Sequence, residues 1–124
     1  MLSSFGDQFG LARELSFKVA GAFGGGMARM GETCGAVTGA LMAIGLKYGK
    51  VKAGDDGARE QTYKLAGEFV TRFKARRGST ICRELLGHNL GIAEERQTAH
   101  DKGLFATLCP QLVRDAVEIV EEIW

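Results

Sequence analysis

Thr33-Cys34-Gly35-Ala36-Val37-Thr38-Gly39-Ala40-Leu41-Met42-Ala43-Ile44-Gly45-Leu46-Lys47-Tyr48-Gly49 is the stretch on which the fold turns. Cys34, Val37, Leu41, Ile44 and Tyr48 recur at steps of three and four, the period of a helix with one buried face. Thr33 suits the N-cap, which makes Cys34 the first helical residue. Lys47 falls in the last turn and Gly49 ends it. Gly35 and Gly39, with Ala36, Ala40 and Ala43, give this helix a thin surface that another backbone can approach. The uncharged run, residues 33–46, is too short to span a bilayer. The stretch therefore predicts the central helix of a domain, not a membrane anchor.

Upstream, Gly24-Gly25-Gly26 breaks the chain. Three adjacent glycines carry an entropic cost, which points to a need for close approach or positive φ. Before them, Leu11, Leu15, Val19 and Ala22 predict a helix over residues 9–22. Downstream, residues 50–57 read as a polar loop. A third helix over 58–77 turns Ala66, Phe69, Val70 and Phe73 inward and stops at Gly78. Ser79 or Thr80 caps a short helix that ends before Gly87, and Cys82 falls at its second or third position. Residues 88–104 lack a clear period, although 92–100 fits a polar helix. Pro110 suits the first position of a last helix whose apolar face runs from Leu112 to Trp124. Trp124 is expected to seal the edge of the core. No segment alternates as a strand does, and no repeat is present. The expected architecture is all-α: a compact bundle of about five helices in one domain, residues 1–124, with a glycine-rich turn before the central helix. Gly35, Gly39 and Gly67, away from element ends, suggest tight interhelical packing.

A net charge of +1 argues against an electrostatic nucleic-acid binder. The basic run Arg72-Phe73-Lys74-Ala75-Arg76-Arg77 is better explained as the last turn of a helix than as a phosphate site. Asp7, Arg13 and Glu14 interrupt the apolar stretch that a signal peptide needs, so a cytoplasmic location is the default. Three cysteines cannot form a fully paired secreted scaffold.

Those cysteines, Cys34, Cys82 and Cys109, each fall at or just inside an expected helix start. Unpaired amides and the positive end of the dipole favour thiolate there. The intervals are 48 and 27 residues, which exclude a local C-x-x-C redox turn or zinc knuckle, so any shared centre has to be assembled by the fold. Thiolates suit zinc or an iron–sulfur centre. A four-coordinate site would then need His88, His100, a carboxylate, an exogenous ligand or a second subunit. Neither histidine has metal-site spacing, and both read as surface residues. Phe23-Gly24-Gly25-Gly26-Met27 lacks the G-K-[ST] of a phosphate loop. Even so, amides of Gly24, Gly25, Gly26 and Gly35 could surround an anion or a sulfur cluster. The competing reading of all three thiols is burial as small apolar side chains.

The words F-G-G-G-M-A-R-M-G-E-T-C-G-A-V-T-G-A-L-M (23–42), G-S-T-I-C-R-E-L-L-G (78–87) and C-P-Q-L-V-R-D-A (109–116) resemble a family described as redox-active and named for a C-G-A-x-x-G motif and four cysteines. The resemblance runs from about Val19 to Glu122. Cys34, Gly35, Ala36 and Gly39 match the motif, and Cys82 and Cys109 match the family's last two cysteines. The first family cysteine, expected on an upstream helical segment, has no counterpart. The resemblance implies a small helical domain with a redox or cluster-related role. A redox protein is the expected partner, with a homo-oligomer as a further expectation.

The leading expectation is thiol–disulfide or iron–sulfur/metal chemistry at Cys34, Cys82 and Cys109, as exchange thiols or as ligands. Its rival is a structural or partner-binding helical protein with packing cysteines. An enzyme acting on a small anionic substrate near the glycine turn is a third reading.

Overall fold

The computed structural model describes residues 1–124 and contains helices but no strand. Two 3-10 turns, Leu2–Ser4 and Gly6–Phe9, precede α1 (Arg13–Val19), α2 (Gly35–Tyr48), α3 (Asp56–Arg77), α4 (Cys82–Leu86), α5 (Ala93–Asp101) and α6 (Leu104–Ile123). No helix is long and apolar enough to cross a membrane.

The long helices α2, α3 and α6 pack on one another and enclose the main core. Ala40, Ala43 and Ile44 of α2 meet Phe69 and Phe73 of α3 and Ala116, Ile119 and Val120 of α6, all essentially without exposure. Burying a large side chain of this kind contributes about 1.5–3 kcal/mol. Small residues on α2 let the neighbours approach, as its sequence predicts. At Gly39 an added Cβ would lie 2.7 Å from the Met1 side chain, so the N-terminal segment rides directly on this helix. Gly67, by contrast, faces open space and marks no close packing.

Charge binds α3 to α6. Arg76 meets Glu118 at 2.8 Å and Glu122 at 3.3 Å, Arg72 meets Glu122 at 3.2 Å, and Arg77 pairs with Asp115. The basic last turn of α3 is thus matched by acids and forms no free phosphate patch. Trp124 closes the far end against Phe5 and Phe9, ring centroids 4.9 and 5.3 Å away, with Tyr48 at 6.5 Å. Its backbone carbonyl accepts from Lys47 Nζ and Tyr48 Oη.

Two elements depart from the sequence reading. The helix expected over 9–22 is only seven residues long, because left-handed Gly10 ends the preceding turn. It buries Ser16 and leaves Leu15, Phe17 and Val19 exposed. Its main contacts are the two 3-10 turns, so there is no long helix against which an apolar stripe could pack. The last helix starts at Leu104, not Pro110, which lies inside it. Leu104 and Leu108 extend the apolar face upstream onto a second, smaller core of Cys82, Leu86, Leu90 and Ala99. That packing offsets the backbone hydrogen bond that Pro110 cannot donate.

Candidate functional site

Between the main core and the smaller one lies a cavity of about 220 Å³, lined mostly by hydrophobic residues and by all three cysteines. The fold therefore assembles what the sequence intervals leave open. A β-bridge between Thr33 and Ile81 brings two of the thiols there. The Cys34 amide donates to the Thr80 carbonyl at 2.8 Å, and the Cys82 amide to the Glu32 carbonyl at 2.6 Å. In such an antiparallel pairing Cys34 and Cys82 share one face as diagonal neighbours. All three cysteines are free.

Each thiol has a different local setting. Cys34 is the N-cap residue of α2, one position earlier than its sequence predicts. Cys82 is the first residue of α4, following Ile81 as cap, because Ser79 instead accepts the Ile81 amide at 3.0 Å. Cys109 stands in the second turn of α6, away from any helix start. The expectation of three helix-start cysteines thus holds for two, and fails at the third because α6 begins upstream.

The expected thiolates do not follow either. Burial raises the pKa of all three thiols, and this outweighs the helix-end field. Cys34 is pulled back in part by the amides of Ala36 and Val37, neither of which forms a full capping hydrogen bond. Cys82 is pushed up to about 11, first by burial and then by the charges that Cys34 and Cys109 would carry. The charge of Cys34 also raises Cys109. Only 6% of Cys82 is exposed, in keeping with burial as the leading cause.

The glycine turn lines the same cavity and packs directly on Cys82. Gly25, Gly26, Met27, Ala28 and Arg29 all have φ between +50° and +69°, a run of left-handed backbone. For the three non-glycine residues this costs roughly 1–2 kcal/mol each. At Gly26 an added Cβ would lie 2.5 Å from Cys82 Cβ and 2.7 Å from the Glu32 amide nitrogen, so only glycine fits. The run is held by bonds from Met27 to Phe23, Arg29 to Gly24 and Glu32 to Gly26, at 2.9–3.2 Å. It leaves the amides of Gly24, Gly25 and Gly26 without a protein acceptor, as the start of α2 leaves those of Gly35 and Ala36. Gly25, Gly26, Gly35 and Ala36 line the thiol cavity. Gly24 lies on an adjoining cleft instead. Sequence reasoning found the glycines but missed the left-handed continuation through Arg29. Nothing in Met27-Ala28-Arg29 signals positive φ.

No group of three or more histidine, cysteine, aspartate or glutamate side chains is arranged to hold a metal ion. Neither histidine lines the cavity: His88 lies 3.1 Å from Lys102 Nζ, and His100 is exposed beside Asp101.

Residues 1–123 match the model of a protein family described as "Putative redox-active protein (C_GCAxxG_C_C)". The chain belongs to this family. Of the family's four named cysteines it carries three. No curated protein matches, and no solved structure does. In this family member the three cysteines line one cavity, together with Gly25 and Gly26 of the glycine turn.

Proposed function

We propose that the protein is a thiol-based redox protein that exchanges with disulfides inside the cavity. The observation carrying this reading is that Cys34, Cys82 and Cys109 line one cavity although 75 residues separate the first from the last. Cys34 is the attacking thiol, being the one whose proton affinity nearby amides reduce. Deprotonated, it attacks a substrate disulfide, forms a mixed disulfide and releases one substrate thiol, which takes up a proton. Cys82, its diagonal neighbour, then displaces the second substrate thiol and closes a Cys34–Cys82 disulfide. Two electrons and two protons pass from the protein to the substrate. Closing the bond requires the start of α4 to move toward Cys34 until the pair meets disulfide geometry. That helix is five residues long and is seated on the smaller core.

The packing alternative has its own support. Cys34 packs on the main core, Cys82 belongs to the smaller one, and burial raises the pKa of all three. The two readings part under limiting bis(2-hydroxyethyl) disulfide at pH 8.5 (about the ordinary thiol pKa), followed by peptide mapping. Exchange predicts a Cys34–Cys82 link, abolished in Cys34→Ser and retained in Cys109→Ser. Thiols that react only after denaturation would leave the packing role standing.

A further inference from the structure

The thiol cavity does not open directly on bulk solvent alone. It shares Gly25, Leu90 and Phe105 with a wider cleft of about 430 Å³, whose wall carries Arg29 and Arg96. No aspartate or glutamate lines either space. Neither arginine is ion-paired, whereas Arg59, Arg72, Arg76, Arg77 and Arg83 all are. Arg96 donates one guanidinium N–H to the Leu90 carbonyl at 3.1 Å, which anchors the side chain and leaves its other donors free. Arg29 is placed by the left-handed run, at φ +64°, with its Cα 2.9 Å from where a Cβ on Gly25 would stand. Strained backbone persists where the surroundings over-determine it, and often where a site needs it. The acceptor-free amides of Gly24 and Gly25 lie on the same wall. Successive amides in such a turn form an anion-binding concavity, and guanidinium forks bind carboxylate and phosphate in two-point fashion.

We infer that this cleft selects the substrate: Arg29, Arg96 and the Gly24–Gly25 amides hold an anionic group while the sulfur end of the same small molecule enters the thiol cavity. The substrate class is a low-molecular-weight anionic disulfide, and this assignment rests on the exchange reading above. The inner cavity is too small to take more than a short thiol-bearing arm, and the wider cleft matches the remainder of a compact molecule. A neutral disulfide would leave the guanidinium groups unanswered. Charge-assisted hydrogen bonds of this kind are worth about tenfold in affinity each.

The test compares 3,3′-dithiodipropionate, a dianion, with neutral bis(2-hydroxyethyl) disulfide on the full chain, reading both binding and thiol release. Binding is followed by titrating the amide resonances of Gly24, Gly25 and Gly26, which needs no reaction to occur. The dianion is expected to bind about tenfold tighter or better, and increasingly so at low salt. Arg29→Gln should remove about tenfold of that preference. Arg96→Lys, which keeps the charge, should retain more of it than Arg96→Gln. Equal binding of the two disulfides, or Arg29→Gln and Arg96→Gln variants that bind the dianion as the parent does, would overturn the assignment. Selective, arginine-dependent binding without thiol release would instead sink the exchange step and keep the anion cleft.

Discussion

The two cores of this molecule are built on opposite principles. Around α2, α3 and α6 the interior is made of Ala43, Ile44, Phe69, Phe73, Ala116, Ile119 and Val120, with nothing polar to satisfy. At the thiol end, a core of only Cys82, Leu86, Leu90 and Ala99 borders a cavity, a left-handed backbone run and amides without acceptors. The first region maximises contact. The second tolerates cavity and strain, which well-packed interiors avoid and functional sites accumulate. Stability at one end allows the other to remain incompletely satisfied.

The contrast can be broken most directly in the main core. Phe69→Ala should cost about 3–5 kcal/mol of unfolding free energy, measured by denaturant titration. A loss below about 1 kcal/mol would mean that the three-helix core does not carry the fold. A smaller effect sharpens the thiol end. The native state holds the Cys82 proton up to about pH 11, against an ordinary value of 9.0. Because the folded-state pKa is the higher one, this contribution is fully present below about pH 9 and is lost as pH rises through 11. Its full size is on the order of 2 kcal/mol. Lysines and tyrosines titrate in the same range, so the quantity to read is the slope difference between the parent and Cys82→Ala. Equal slopes would show that Cys82 is not held protonated by the fold. The least effect is expected at Ala28, exposed and at φ +50°. Ala28→Gly should relieve strain and raise stability by about 0.5–1 kcal/mol. Any destabilisation there would contradict the left-handed run.

Local chemistry made much of this readable. The apolar spacing of α2 and α3, the stops at Gly78 and Gly87, and the demand for unusual backbone at the glycine turn were all visible in short words. Trp124 sealing an edge follows from an aromatic ending an apolar face. What misled was local signal overruled by distant packing. Pro110 looks like a helix start until Leu104 and Leu108 find a second core to cover. Leu11, Leu15 and Val19 look like a buried stripe until it is seen that no long helix lies beside them.

By itself, the sequence determined an all-helical chain, the central helix, the glycine break and the identity of the three thiols. These depend on periodicity and on residues that act within a turn or two of themselves. Only the tertiary structure decided that the thiols share a cavity, and that burial raises their pKa there. Both outcomes depend on contacts across long sequence separations: a bridge from Thr33 to Ile81, and burial by helices that meet only once the chain has folded. A helix start favours thiolate in water, but desolvation in that cavity reverses the preference.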